Sequence, residues 1–238
     1  IAMKFEDDHA ETTLINARIA SNDDDVMLVT NSGRAIRFPA TDVRVFNSRA
    51  SVGVRGIKLN GDDKVVSMSI IRHFDATSEE RTAYLKMRRA MAGLVDDAEN
   101  DEDEAPADPN FSQERYAEMS AAENLLLTIT EKGAGKLSSS HDYPVRGRGG
   151  LGVTAMDKAM RGGEIVASFP VELDDQIMLA TSKGQSIRVP VEGISFRSRS
   201  AGGVKVFDTG RGEVVVSVAW IADQGDETVD GEIISPEA

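Results

Sequence analysis

One pattern recurs three times along the chain. Thr30-Asn31-Ser32-Gly33, Thr130-Glu131-Lys132-Gly133 and Thr181-Ser182-Lys183-Gly184 share their first and last residues. Further on, Arg49, Arg148 and Arg199 fall into step, then Gly53, Gly152 and Gly203, then Val54, Val153 and Val204. Identity at matched places means that one structural unit is used repeatedly.

Each unit has the same inner order. A short apolar run (Val26 to Val29, Leu125 to Ile129, Ile177 to Leu179) meets a Gly-centred turn, and a second run follows, such as Ala35-Ile36-Arg37-Phe38 or Ser186-Ile187-Arg188-Val189. A basic, Ser/Gly-rich loop leads to a third run at Val52 to Leu59, Leu151 to Ala155 or Val204 to Phe207. A fourth lies at Val65 to Ile71, Ile165 to Phe169 or Val214 to Trp220. Short Val/Ile-rich runs bounded by Gly and Asp read as strands, because β-branched side chains suit a pleated surface. Four strands in about fifty residues is the size of a propeller blade. The predicted architecture is all-β, with blades at 26–71, 125–169 and 176–221. Leu14-Ile15-Asn16-Ala17 mirrors Val65-Val66-Ser67-Met68, so residues 1–20 read as part of a further blade; with a first residue other than Met, the chain reads as a fragment.

Residues 72–124 interrupt the repeat. Thr77-Ser78-Glu79-Glu80 has capping-box spacing, and Tyr84, Leu85, Met87, Met91 and Leu94 place an apolar stripe on the helix that follows, with Gly93 near its end. The acidic stretch 96–109 is too poor in apolar area to offset ordering entropy and reads as disordered. A second helix from Ser112 to Glu123 carries Tyr116 and Met119. The insert is thus a helical hairpin; its Met- and Tyr-bearing faces serve a partner, face solvent, or pack on the chain's own blades.

The net charge of −13 is unevenly placed. It is −5 over residues 1–25, +4 over 26–71, −8 over 72–124, +2 over 125–221 and −6 over the tail 222–238. The complete blades are basic, and local patches rather than the total govern the encounter with a polyanion. The chain has no Cys, which excludes disulfides and thiolate chemistry and suits a reducing cytoplasm. No apolar run approaches the length of a membrane span.

Most candidate chemistry fails on context. His9, His73 and His141 are far apart, none at metal-ligand spacing, and read as exposed loop or strand-end residues. Gly147-x-Gly149-x-x-Gly152 has dinucleotide spacing but opens a strand rather than a helix. Asp24-Asp25 and Asp174-Asp175 precede first strands, where Asp stabilises turns. What remains is the periodic basic loop. Arg49, Arg148 and Arg199 share one place, Arg146 and Arg197 another, and Arg37 and Arg188 a third, while Lys136 stands one residue out of step. Ser and Gly around them let a backbone approach a phosphate and offer N–H donors.

Gly33-Arg34-Ala35-Ile36-Arg37-Phe38 followed by Gly53-Val54-Arg55-Gly56-Ile57-Lys58-Leu59 resembles the repeat of the C-terminal domain of the DNA gyrase A protein. Tyr143-Pro144 with Arg146-Gly147-Arg148-Gly149-Gly150-Leu151-Gly152-Val153, and Asp175-Gln176-Ile177-Met178-Leu179, fit the same repeat. The resemblance implies a β-pinwheel, a propeller-like ring of usually six blades with strands exchanged between neighbours. It implies a non-catalytic domain that wraps duplex DNA on its outer rim, in a cytoplasmic, nucleoid-associated type IIA topoisomerase. The rest of the gyrase A protein and the gyrase B protein would be the partners in an A2B2 heterotetramer, with ATP and Mg2+ used elsewhere in it and no cofactor here.

The family heptapeptide Gln-Arg-Arg-Gly-Gly-Lys-Gly is absent; Arg148, Gly149, Gly150 and Gly152 match it, but Leu151 stands for its Lys. The residues expected to hold DNA are Arg37, Arg49, Arg55, Lys58, Lys136, Arg146, Arg148, Arg188, Arg197, Arg199 and Lys205. Bending a duplex over such a rim costs roughly 1–6 kcal/mol per 20–30 base pairs, which phosphate contacts must outweigh. The corresponding A protein of topoisomerase IV and a protein-binding propeller scaffold are the alternative readings.

Overall fold

In the computed structural model, residues 12–93, 106–157 and 162–221 are described. The acidic tail and most of the stretch 96–109 fall outside them, as do Leu94 and residues 1–11.

The Thr-x-x-Gly repeat is a hairpin turn. Gly33, Gly133 and Gly184 sit at φ +86°, +76° and +81°, and the N–H of each donates to the Thr carbonyl three residues back at 3.0 Å. Only glycine takes that left-handed conformation without strain, which is why the residue recurs. The turns join β1 (Asp24–Thr30) to β2 (Arg34–Pro39), β4 (Leu125–Thr130) to β5 (Ala134–Ser139), and β8 (Gln176–Thr181) to β9 (Ser186–Pro190). A short 3-10 turn closes each second strand, at Ala40–Asp42, Ser140–Asp142 and Val191–Gly193. The fourth runs of the repeat are β3 (Val65–Arg72), β7 (Ile165–Val171) and β11 (Val215–Ile221), each antiparallel to its blade's first strand.

The third runs behave differently from the local reading. Only β6 (Val153–Thr154) and β10 (Val204–Lys205) are strands, and neither pairs within its own blade. β6 completes the first sheet, in the order β3-β1-β2-β6, and β10 the second, β10-β5-β4-β7. Each blade is therefore finished by the next one, the strand exchange of a pinwheel. The third sheet, β11-β8-β9, has three strands. Val52–Leu59 forms no strand, and neither does Thr12–Ala20, which runs beside β3 with Asn16 Nδ2 3.5 Å from the Met68 carbonyl. A strand is defined by its partner, and among the described residues neither segment has one.

Because sheets are shared, so are the cores. Met27, Val29, Ala35 and Ile71 of the first blade pack with Leu126, Tyr143, Val153 and Ile165 of the second. Leu127, Ile129 and Leu137 pack with Ile177, Leu179 and Val191 of the third. The inner strands β3, β7 and β11 line a central cleft of about 710 Å³.

The insert packs on this chain's own blades. α1 (Ser78–Met91) starts at the predicted capping box, with Thr77 as N-cap and Glu80 reciprocating, and it ends before Gly93 at φ +71°. α2 (Gln113–Ala122) is capped by the Ser112 side chain, which accepts from Arg115 N–H. Tyr84 stacks on Tyr116 with centroids 5.0 Å apart, Arg88 lies 4.8 Å over Phe196 of the third blade, and Arg115 donates to Glu80 and to the Asp75 carbonyl. Met91 falls off this stripe and is exposed.

The hairpin also buries a histidine that the sequence reading placed in solvent. His141 is 2% exposed, edge-on to Tyr84 and Phe74, with Nε2 2.8 Å from the Met119 carbonyl that accepts its proton. Burial lowers its pKa from the usual 6.5, whereas hydrogen bonding to Asp25 raises that of half-buried His73. Raised in the fold, His73 adds stability that is complete below its unfolded pKa and fades as pH rises through the folded value. His141, lowered, leaves stability intact above 6.5 and costs it as pH falls below. The two rings should therefore titrate on opposite sides of 6.5 in NMR spectra of the imidazole protons, His73 above and His141 below; the reverse order would overturn the assignment.

Candidate nucleic-acid interface

Strand exchange decides where the repeated cations go. Arg148 and Arg199 play one part at successive blade joints. Arg148 Nε donates to the Asp42 carbonyl at 2.9 Å and its Nη1 to the Arg55 carbonyl at 3.1 Å. Arg199 Nε donates to the Asp142 carbonyl at 2.9 Å and its Nη1 to the Thr154 carbonyl. Asp42 matches Asp142 in the repeat, and Arg55 matches Thr154. The recurring arginine thus ties each blade to the 3-10 turn and third segment of the blade before it, its planar fork filling two carbonyls at once.

Three expected DNA ligands are consequently inside the protein. Arg199 is 3% exposed and also lies 3.7 Å from an Asp142 carboxylate oxygen. Arg37 is 3% exposed: Nε donates to Asp25 at 2.7 Å, Nη1 to the Ser140 carbonyl at 2.8 Å and Nη2 to the Arg72 carbonyl at 3.1 Å. Burial pulls its pKa down from the ordinary guanidinium value against the attraction of Asp25, and a guanidinium keeps its charge at neutral pH all the same. Lys136 is fully buried, and its ammonium donates to the carbonyls of Ser198, Arg199 and Ala201 at 2.9, 2.5 and 2.6 Å. A buried cation is held by charge and carbonyl dipoles of the fold because desolvation would otherwise expel it. None of the three reaches a ligand on the surface. Asp25, read as a turn former, is instead the buried counter-ion, accepting from Arg37 and bonded to His73 Nδ1 at 2.8 Å. Asp24 and Asp175 do stabilise turns, accepting from Ser21 N–H and Glu172 N–H.

The other cations remain at or near the surface. Arg49, Arg55, Lys58, Arg146, Arg148, Arg188 and Lys205 are exposed, and Arg197 is partly buried. Lys205 pairs with Asp208 at 3.2 Å, an exposed contact worth little in water. The exposed charges are not spaced evenly from blade to blade. They gather at the joint of the first two blades, where Lys58 N–H donates to the Gly150 carbonyl at 2.8 Å and Gly149 N–H to the Gly56 carbonyl at 2.5 Å. These bonds, with those of Arg148, set the loop bearing Arg55 and Lys58 against the loop bearing Arg146. Gly149 holds φ +82°, a left-handed conformation in which any side chain would be strained. Arg44, missed in the sequence reading, is exposed two residues beyond Asp42, whose carbonyl Arg148 holds, and lies 4.5 Å over the Phe46 ring. It lacks a repeat equivalent, so periodicity gave no signal for it.

Comparison with known proteins agrees with this geometry. The family model for the DNA gyrase C-terminal domain, a beta-propeller, matches residues 24–72, 124–172 and 175–219. Over its full length the chain is 42% identical to the DNA gyrase A protein of Granulibacter bethesdensis, aligned with 27% of that protein. It is 37% identical to the DNA gyrase A protein of Rickettsia bellii over 95% of the chain and 25% of the relative. The chain therefore spans about a quarter of the length of the curated relatives it matches. Among solved structures, a DNA gyrase A C-terminal domain overlays with a TM-score of 0.64 at 22% identity, covering 93% of this chain and 58% of that one. A C-terminal domain of DNA topoisomerase IV overlays with 0.65 at 17% identity, covering 92% and 52%; at these identities both likenesses speak for the fold alone. On the repeat, the exchanged strands and the family match together, this chain belongs to the DNA gyrase A C-terminal domain family.

Proposed function

We propose that the chain binds duplex DNA without sequence preference on the exposed basic loops at the joint of its first two blades, as the non-catalytic wrapping element of a gyrase. The observation that carries this reading is the convergence of Arg55, Lys58 and Arg146 on two loops fixed to each other by main-chain hydrogen bonds and by Arg148. Loops locked in this way hold cations in place before DNA arrives, so less ordering entropy opposes binding. Arg188, Arg197 and Lys205 extend the surface toward the third blade. Within a complete gyrase the bound duplex would be curved over the rim and presented to the strand-passage machinery of the rest of the gyrase A protein and of the gyrase B protein, which would use ATP and Mg2+. The relatives compared above by sequence are gyrase A proteins, which favours this role over that of topoisomerase IV.

The test is a salt series with a long duplex. Each neutralised phosphate contributes about 0.9 to the slope of log K against log salt. Joint replacement of Arg55, Lys58 and Arg146 by alanine should weaken binding and flatten that slope by about 0.9 for every phosphate no longer neutralised, uniformly across DNA sequences. An unchanged slope would remove these loops from the DNA surface.

A further inference from the structure

The insert brings to the blade joints a cation that the repeat does not supply. α1 rests on the 3-10 turn Ser140–Asp142, where the Tyr84 ring meets His141 edge-on at 5.0 Å, and its later turns reach the third blade through Arg88 over Phe196. Guanidinium groups already frame that turn. Arg37 Nη1 donates to the Ser140 carbonyl and Arg199 Nε to the Asp142 carbonyl, the two ends of the turn. Arg146 begins beside Arg37, whose carbonyl accepts its N–H at 2.8 Å, and its side chain is exposed. Arg81 precedes Tyr84 by three residues and so lies on the face of α1 turned toward this cluster.

The acids around Arg81 are engaged elsewhere. Asp25 is held by Arg37, and Asp142 accepts the Arg199 N–H at 2.6 Å. Glu80, next to Arg81 in the chain, accepts from Arg115 at 2.8 Å and from the Thr77 N–H, and Glu123 accepts from Arg88. Along the helix, the places three and four residues away hold Thr77, Ser78, Tyr84 and Leu85, none of them acidic. Arg81 Nη2 donates to Ser78 Oγ at 3.1 Å, a neutral partner. Burial lowers its pKa, Arg37 adds to that ahead of the opposing pull of Asp142, and Arg146 and Arg199 push the same way. Helix docking therefore presses like charges together, and a polyanion would turn that repulsion into attraction.

We propose that Arg81 of the insert is a DNA-backbone ligand, neutralising a phosphate beside the one met by Arg146, so that α1 carries the duplex from the joint of the first two blades toward Arg197 at the next. The proposal rests on the DNA reading given above and extends it to an element outside the repeat. The dimensions suit it. Arg81 and Arg88 stand two helical turns apart, about 10 Å, which matches the axial rise of about three phosphates on one strand. Arg88 stays on Glu123 and Phe196 as the anchor at the far joint, and Arg81 meets the ligand.

The measurement is the salt dependence of binding to a long duplex by the full 238-residue chain. Arg81→Gln should lower the slope of log K against log salt by about 0.9 and weaken binding roughly eightfold at about 0.1 M salt. Arg81→Lys keeps the charge and should keep the slope. Lys86→Gln removes one positive charge from an exposed position of the same helix and should leave the slope unchanged. Folding is read separately: because Arg81 stands among like charges, Arg81→Gln should preserve the circular dichroism spectrum and give a Tm equal to or above the parent's. A parental slope for Arg81→Gln, an equal loss for Lys86→Gln, or a Tm that falls together with affinity would each overturn the proposal. Failure of the underlying DNA reading has a different signature, an unchanged slope in the Arg55, Lys58 and Arg146 triple variant, and would take this proposal with it.

Discussion

Replacing Asp25 by alanine should cost the fold about 3–5 kcal/mol in denaturant unfolding, one of the two largest losses expected for a single substitution in this chain. The carboxylate is fully buried and is the counter-ion to Arg37, itself 3% exposed. Truncation would strand a guanidinium that cannot shed its proton, still pointed at the Ser140 and Arg72 carbonyls but with no charge to balance it. Asp25→Asn, which keeps an acceptor and loses the charge, should cost less. A joint change of Asp25 to leucine and Arg37 to methionine should recover much of the loss, because removing both charges also removes their desolvation cost. A loss below about 1 kcal/mol for Asp25→Ala would show that the pair is hydrated and that this account of the first blade is wrong.

Lys136→Met is the second. Methionine keeps most of the volume but none of the three donors, leaving the carbonyls of Ser198, Arg199 and Ala201 without the ammonium. Each buried acceptor left unmet costs about 1–3 kcal/mol before relaxation, so a total of about 3–5 kcal/mol is expected. The loss should be local in its symptoms. Those carbonyls belong to the loop by which the third blade grips the second, so limited proteolysis should cut between residues 195 and 203 in the variant and not in the parent. Global unfolding without an early cut there would mean that Lys136 supports its own blade rather than the joint.

Much of this architecture could be read along the chain, for a definite reason. Hairpin turns and helix caps are local, so Thr-x-x-Gly and Thr77 with Glu80 announce themselves within a few residues. Strand exchange is not local. Nothing within Val153-Thr154 says that its partner is Ala35 rather than a strand of its own blade. The burial of three cations was hidden by chemistry, since an arginine fork suits two carbonyls as well as a phosphate. Even so, two signals were present. Arg37 has Asp25 near the start of β1, whereas Arg188, which stays exposed, has Gln176 at that position of the repeat. Lys136 stands where the other units carry Ile36 and Ile187, an apolar position, and Ile36 is only 2% exposed. Comparing each cation with its counterparts at the same repeat position, rather than counting cations per unit, separates the ones that hold blades together from the ones left for a ligand.

The exchanged strand also sets a timetable for biosynthesis. Ala35 must wait for Val153, roughly 120 residues further on, with the helical insert emerging in between. At about 5–20 residues per second, the edge of β2 stays bare for roughly 6–24 s after it leaves the ribosome. During that interval a nascent first blade is open to mispairing with any passing strand. Early docking of the helices between β3 and β4 would shield the growing chain for part of the delay, a role for the insert that requires no contact with nucleic acid.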